Sequence, residues 1–200
     1  PEGLIELLGG DEEFNKKLDE LFSMSSELGE EASMDITGLI GQYAHGNEPS
    51  HHTTYMYAYS GEHYKIADKV RYINNELYSD QPDGLSGNED CGQMSAWYIL
   101  SSMGFYPVNP SNGAYVFGSP LFDEVVLDIP GQKQFKISAK NNSDKNIYIQ
   151  SVSLNGEEHK YSYITHKEIL KGGELEFTMG PKPNKDFGKE KKYRPKSIVY

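Results

Sequence analysis

The sequence predicts a mixed α and β chain, with helical segments over 1–110, a small antiparallel β unit over 111–180 and a basic tail over 181–200. Three observations carry that reading. Apolar residues recur at helical spacing before residue 110 and at strand-like spacing after it. Pro107 and Pro110 punctuate the change, and Asn155-Gly156 supplies a hairpin turn, because both residues tolerate positive φ.

In the first part, Asp11 is a candidate N-cap, followed by Phe14, Leu18, Leu21 and Phe22 on one helical face. A short helix fits residues 50–60, with Gly61 after it. Ile66, Val70, Ile73 and Leu77 form the most regular stripe in the chain. Met94, Trp97, Tyr98 and Ser101 mark another helix, stopped by Gly104 in a left-handed cap. Beyond the prolines, strands are expected at 114–117, 123–129, 134–139, 146–154, 160–164 and 174–179. His166–Leu170 suits one helical turn before Gly172-Gly173.

The 200 residues are enough to bury a core, and 36% hydrophobic with 12% aromatic content marks a globular chain. A net charge of −11 argues against nucleic acid as a partner. No apolar run is long enough for a membrane span, and no basic-then-apolar leader opens the sequence. Cys91 alone permits neither an internal disulfide nor a multi-cysteine zinc site. Charge is divided between the ends: residues 1–40 hold 11 acidic and 2 basic side chains, and 181–200 hold 7 basic and 2 acidic. The tail reads as a solvated or loosely docked terminus.

Polar chemistry gathers in two glycine-bearing segments. The first runs from His45 through Asn47, Glu48, Pro49, His51 and His52; the second from Asp83 through Asn88, Glu89, Asp90 and Cys91 to Trp97 and Tyr98. Glu48 and Asn47 stand at a predicted helix entrance, where they either cap the helix or form an oxygen-rich rim for a metal ion or sugar hydroxyls. His51 and His52 are adjacent, so a helix points them about 100° apart and one ligand does not suit both; at least one of them is expected to be a packed or hydrogen-bonding core histidine. Glu89 and Asp90 suit either water activation or a hard cation, or they simply make the following helix N-terminus acidic. Neither an EF-hand nor a phosphate-loop spacing is present. Cys91 is an inert packed residue or a nucleophile paired with a histidine. Tyrosines and Trp97 around these segments give the aromatic and polar mixture that sugars favour.

Gly46-Asn47-Glu48-Pro49-Ser50-His51-His52 and Gly87-Asn88-Glu89-Asp90-Cys91-Gly92-Gln93-Met94-Ser95-Ala96-Trp97-Tyr98 resemble glycoside hydrolase family 92, as do Gly104–Val108, Gly118–Asp123 and Gly172–Phe177. The resemblance implies a calcium-dependent, inverting exo-α-mannosidase acting on mannose-containing glycans, secreted or periplasmic. It implies that the chain holds the C-terminal helices of an (α/α)6 barrel and a β extension. The rest of the catalytic domain and an N-terminal β-sandwich would then lie outside it, and the helices left without barrel neighbours would make the chain prone to self-association. Asp90 matches the family's general base. Asn88 stands where many members carry a second aspartate, so it can hold water but not take its proton. No residue matches the general acid. Asn47 and Glu48 are the implied calcium ligands, and Glu89, His51, His52 and Trp97 the implied substrate contacts. A non-catalytic, calcium-dependent sugar-binding fragment and a purely structural module remain as alternatives.

Overall fold

A computed structural model describes residues 1–27, 29 and 36–197. The chain opens with α1 (Glu2–Leu7) and α2 (Asp11–Ser23), followed by a short hairpin of β1 (Leu39–Ile40) and β2 (Tyr43–Ala44). Helices α3 (Lys65–Glu76) and α4 (Gln93–Met103) come next. One departure from expectation is the cap of α2: Gly10, at φ 109°, holds that place and Asp11 becomes the first helical residue. Another is the helix expected over 50–60, which is two 3-10 turns, Glu48–Ser50 and Thr53–Ala58. Tyr55, Met56, Tyr57 and Ala58 are all buried, so this stretch lacks the polar face of an amphipathic α-helix.

Strands β3 (Phe105–Tyr106), β4 (Ala114–Phe117) and β9 (Tyr163–Thr165) make a three-stranded sheet. A second sheet has the order β5-β6-β10-β7-β8, from β5 (Glu124–Ile129), β6 (Lys133–Lys140), β7 (Tyr148–Leu154), β8 (Glu157–Glu158) and β10 (Gly173–Gly180). It is not wholly antiparallel: β10 lies parallel to β6, the strands being joined by a crossover long enough to hold β7, β8, β9 and α5 (His166–Ile169). Asn155 and Gly156, at φ 54° and 81°, make the two-residue turn between β7 and β8.

Two apolar clusters result. The helical one gathers Phe14, Leu18, Tyr43, Tyr55, Tyr57, Ile66, Val70, Ile73 and Trp97. The other takes alternate residues of β6 and β10, namely Phe135, Ile137, Leu175 and Phe177, and seats them against Phe105, Phe117 and Ile164. Leu100 of α4 packs against both. Exposed apolar side chains include Leu4, Ile99 and Leu7, the last 85% exposed. No helix among the described residues is long and apolar enough to cross a membrane.

The basic tail, described up to residue 197, is docked through Arg194 while its lysines stay exposed. Arg194 pairs with Asp11 at 2.7 Å and donates to the carbonyls of Tyr59 and Lys189, so the basic end lies on the acidic one. Arg71 of α3 is a second buried anchor. It donates to Ser119 Oγ at 2.9 Å, to Pro120 O and to Asn142 Oδ1, tying α3 to the loop before β5 and the loop after β6. Replacing it by methionine strips the donors from two buried acceptors. Arg71→Met should therefore lose about 3 kcal/mol of stability, read as a lower urea midpoint at unchanged m-value.

Candidate active site

The two polar segments meet through glycine backbones. A Cβ on Gly87 would lie 2.3 Å from Gly46 O, and one on Gly46 would lie 2.6 Å from Ser86 O. Neither residue has positive φ, so it is close approach, not an unusual dihedral, that requires glycine at both places. The contact brings Glu48, just after Gly46, beside Asp90, just after Gly87. Hydrogen bonding to Glu48 and the charge of that carboxylate raise the pKa of Asp90 from its ordinary value. Asp90 and Asn88 are both solvent-exposed.

Asp90 sits in a strained turn. Asp90, Cys91 and Gly92 have consecutive φ values of 42°, 60° and 92°, and only the last is a glycine. A left-handed conformation at each of the other two costs about 1–2 kcal/mol. Cys91 is exposed and free, which corrects the packed alternative for it. Glu89 turns away from Asp90. Its carboxylate accepts from Ser95 N at 3.0 Å and Ser95 Oγ at 2.7 Å, and these bonds, the backbone one foremost, lower its pKa. Glu89 thus supports its own loop while remaining exposed at the rim.

On the facing segment, Asn47 is extended and exposed and makes no side-chain cap bond to the turn that follows. The capping alternative for Asn47 is therefore corrected: its amide is free at the rim. That turn is three residues of 3-10 helix, too short for the macrodipole expected at Glu48.

Beneath the rim lies a closed aromatic network. Tyr78 OH donates to Met94 O at 3.0 Å and so accepts from His45 Nε2 at 2.7 Å; His45 Nδ1 then accepts from Tyr43 OH at 2.8 Å. His51 Nε2 donates to His45 O at 2.9 Å, and its Nδ1 accepts from Gln93 Nε2 at 3.1 Å. Both rings are therefore neutral, and burial lowers both pKa values, that of His45 to about 3. The imidazoles stack at 4.6 Å, Trp97 stands edge-on to His45 at 4.5 Å, and Trp97 Nε1 donates to His51 O at 3.1 Å.

His51 is 1% exposed and Trp97 0%, so both hold the rim up from below: His51 is the core histidine expected of the pair, and for both residues packing replaces the wall role. Their hydrogen-bonding capacity is consumed inside the fold. His52 is half-buried and lines a separate cleft with Pro1, Leu4, Met56 and Val108. Adjacency separates it from His51, as the sequence implies. A cleft of about 750 Å³ between α2 and the C-terminal segment contains none of the motif residues.

Among the described residues no group of three His, Cys, Asp or Glu side chains converges on one point. Asn47 and Glu48 are oxygen donors of the kind a hard cation takes, but two of them are a fraction of the six to eight that calcium requires. They fit part of such a site.

The model of the glycosyl hydrolase family 92 catalytic domain matches residues 1–181. The chain belongs to that family. An uncharacterized secreted glycosidase of Arthroderma benhamiae is 32% identical over 180 residues, 88% of this chain and 21% of its own length. A family 92 alpha-mannosidase of Bacteroides thetaiotaomicron, solved in complex with mannoimidazole, superposes with a TM-score of 0.88 at 42% identity, over 94% of this chain and 25% of its own. A family 92 inverting mannosidase of the same organism gives a TM-score of 0.84 at 39% identity, over 98% and 28%. The chain thus spans between a fifth and a third of the length of these relatives.

Sequence reasoning missed Gln93, Ser95 and His45 as supports. Gln93 joins His51 to Tyr106 OH, which it reaches at 3.0 Å, and no local pattern announces such a bridge. The glycines were visible, but their partner in each other was not.

Two outcomes follow from this geometry. Gly87→Ala should cost about 2 kcal/mol, because the obstructing atoms are backbone and cannot swing aside. A loss below a few tenths in a denaturant melt would mean the loops are not in contact. The second concerns pH. Burial lowers His45 and His63 from 6.5 to about 3 and about 4, so the unfolded chain takes up their protons first on acidification. Stability should be full above about pH 6.5 and fall below it, by up to roughly 1.4 kcal/mol per pH unit per histidine, levelling off below the folded values. Urea midpoints from pH 7.5 to 4 read this directly, and His63→Gln should flatten the slope.

Proposed function

We propose that this chain carries the water-activating side of an α-mannosidase, with Asp90 as the general base. The observation that carries the reading is the Asp90 carboxyl held beside Glu48 at an exposed rim, in a chain of family 92. A carboxylate whose pKa is raised by a neighbouring carboxylate is a better base than an ordinary one. It would accept one proton from a water whose oxygen attacks the anomeric carbon. The glycosidic bond breaks as that bond forms, and the leaving oxygen takes a proton from an acid elsewhere in the whole protein. Attack opposite the leaving group inverts the anomeric centre and needs roughly 6.5–9.5 Å between base and acid to admit the water.

Asn88, exposed two residues before Asp90, would orient the water through its amide without competing for the proton. Asn47 and Glu48 would hold calcium together with oxygens from outside this chain. Bound there, the ion would supply Lewis-acid orientation of the mannose hydroxyls. Glu48 thereby serves two neighbours, since a cation beside it also relieves its repulsion of Asp90.

The openness of the rim supports a division of the site between this chain and the rest of a longer enzyme. We read residues 1–110 as the closing helices of an (α/α)6 barrel, 111–180 as its β extension and 181–200 as the strap joining the two ends. The substrate would be a terminal α-mannoside of a glycan met outside the cytoplasm, in keeping with a relative described as secreted.

The test is mannose release from α-mannobiosides by the intact protein, with calcium and with chelator. Asp90→Asn should lower kcat about 10³-fold, leave KM within about threefold and leave the melting temperature no lower than wild type. Chelator should abolish turnover reversibly. Full activity in Asp90→Asn would overturn the assignment of the base. Calcium-dependent mannose binding without turnover would replace it with the sugar-binding reading.

A further inference from the structure

We propose that Ser95 is a positioning residue that, through Glu89, holds Asp90 in its left-handed turn facing Glu48. The inference rests on the mannosidase reading for its consequence in catalysis, but not for the clamp itself.

The segment from Glu89 to Ser95 closes on itself. Ser95 N and Ser95 Oγ both donate to the Glu89 carboxylate, at 3.0 and 2.7 Å. Inside that loop Met94 N donates to Glu89 O and Gln93 N to Asp90 O, both at 3.3 Å. The two side-chain bonds are thus the shorter members of the set, and each has a charged acceptor, which strengthens it. Between their ends lie the residues at φ 42°, 60° and 92°. A non-glycine residue leaves the left-handed region unless its surroundings over-determine it, and here two do so in succession. Opposing forces act on the Asp90 side chain as well, since its described carboxyl neighbour is the Glu48 carboxylate. Something must hold the turn against both backbone relaxation and charge repulsion. Ser95 is fit to do so because it stands on the first turn of α4, and α4 is anchored by buried Met94 and Trp97 on either side of it. The turn is therefore referenced to the rigid helix rather than to the exposed loop. Loss of either clamp partner would let Asp90 and Cys91 relax, moving the carboxylate away from Glu48. A threonine at 95 keeps the same two donors and should preserve the arrangement.

The experiment compares Ser95→Ala, Glu89→Ala, their double variant and Ser95→Thr in the intact protein by amide hydrogen exchange over 88–95 and by steady-state mannoside hydrolysis. Exchange in that segment should quicken about tenfold in both alanine variants, and kcat should fall about 10–100-fold with KM within about twofold. Ser95→Thr should retain wild-type values of both. The double variant should be no worse than the more damaged single, because both remove the same contact. Unchanged exchange over 88–95 would overturn the clamp. A lowered melting temperature with kcat retained would reduce Ser95 to a helix cap and overturn its role in positioning. A rise in KM alone for Glu89→Ala, with exchange unchanged, would return Glu89 to the substrate. If the wild-type protein hydrolyses no α-mannoside, the mannosidase reading fails, and exchange alone then decides the clamp: quickened exchange supports it and unchanged exchange overturns it.

Discussion

The contact of two glycine backbones, Gly46 on Gly87, is the constraint on which the candidate site depends. The motif residues lie some forty positions apart in the chain, on segments with no strand pairing between them. Only where side chains are missing on both sides can the two loops come near enough for Glu48 and Asp90 to feel each other's charge. The buried network beneath then fixes their height. His51 donates one bond to His45 O on the first segment, and Gln93 and Trp97 on the second segment's helix donate to His51. The rim is thus closed from above by backbone contact and from below by aromatic packing.

That arrangement has an electrostatic consequence. His45 and His51 are neutral, so the foundation contributes no positive charge to the carboxylates above it. Asp90 is left with a raised pKa, an uncompensated state that a proton or an oxygen-bound cation would relieve. The same turn stores backbone strain at Asp90 and Cys91. Strain and like charge gathered on one exposed aspartate oppose folding, and the surrounding structure must offset both. The offset comes from Ser95 and from the packing of α4, which is why the helix after the loop matters as much as the loop.

Much of the fold was legible because its signals are local. The stripe from Ile66 to Ile73 became α3, Gly104 took its left-handed cap at φ 103°, and Asn155-Gly156 made its turn. What stayed hidden depends on distant partners. The 50–60 segment reads as one helix, yet it is two 3-10 turns, with Tyr55 to Ala58 all buried. The parallel pairing of β6 with β10 comes from a crossover that no strand pattern encodes. At the site, the residue types were readable but their duties were not. Glu89 and Asp90 are identical in kind to a reader of the sequence, and they part company only because Ser95 captures one and Glu48 faces the other. His51 and Trp97 looked like wall residues because sugar-binding walls are made of such side chains, and burial assigns them to support instead.

The helix α4 is where the two halves of the chain become one mechanical unit. Its N-terminus carries the Asp90 turn, its middle gives Trp97 to the helical core, and Leu100 packs against both apolar clusters. At its C-terminus, Gly104 takes a left-handed cap packed closely on its neighbours: a Cβ there would lie 3.1 Å from Pro120 and 3.2 Å from Phe177 of the β core. Arg71 reinforces the same junction from α3 by binding Ser119 and Pro120 O. A shift of the β sheets therefore reaches α4 directly, and through α4 the turn that aims Asp90. The β sheets, which supply no motif side chain to the rim, thus pack on the helix whose N-terminus carries the Asp90 turn.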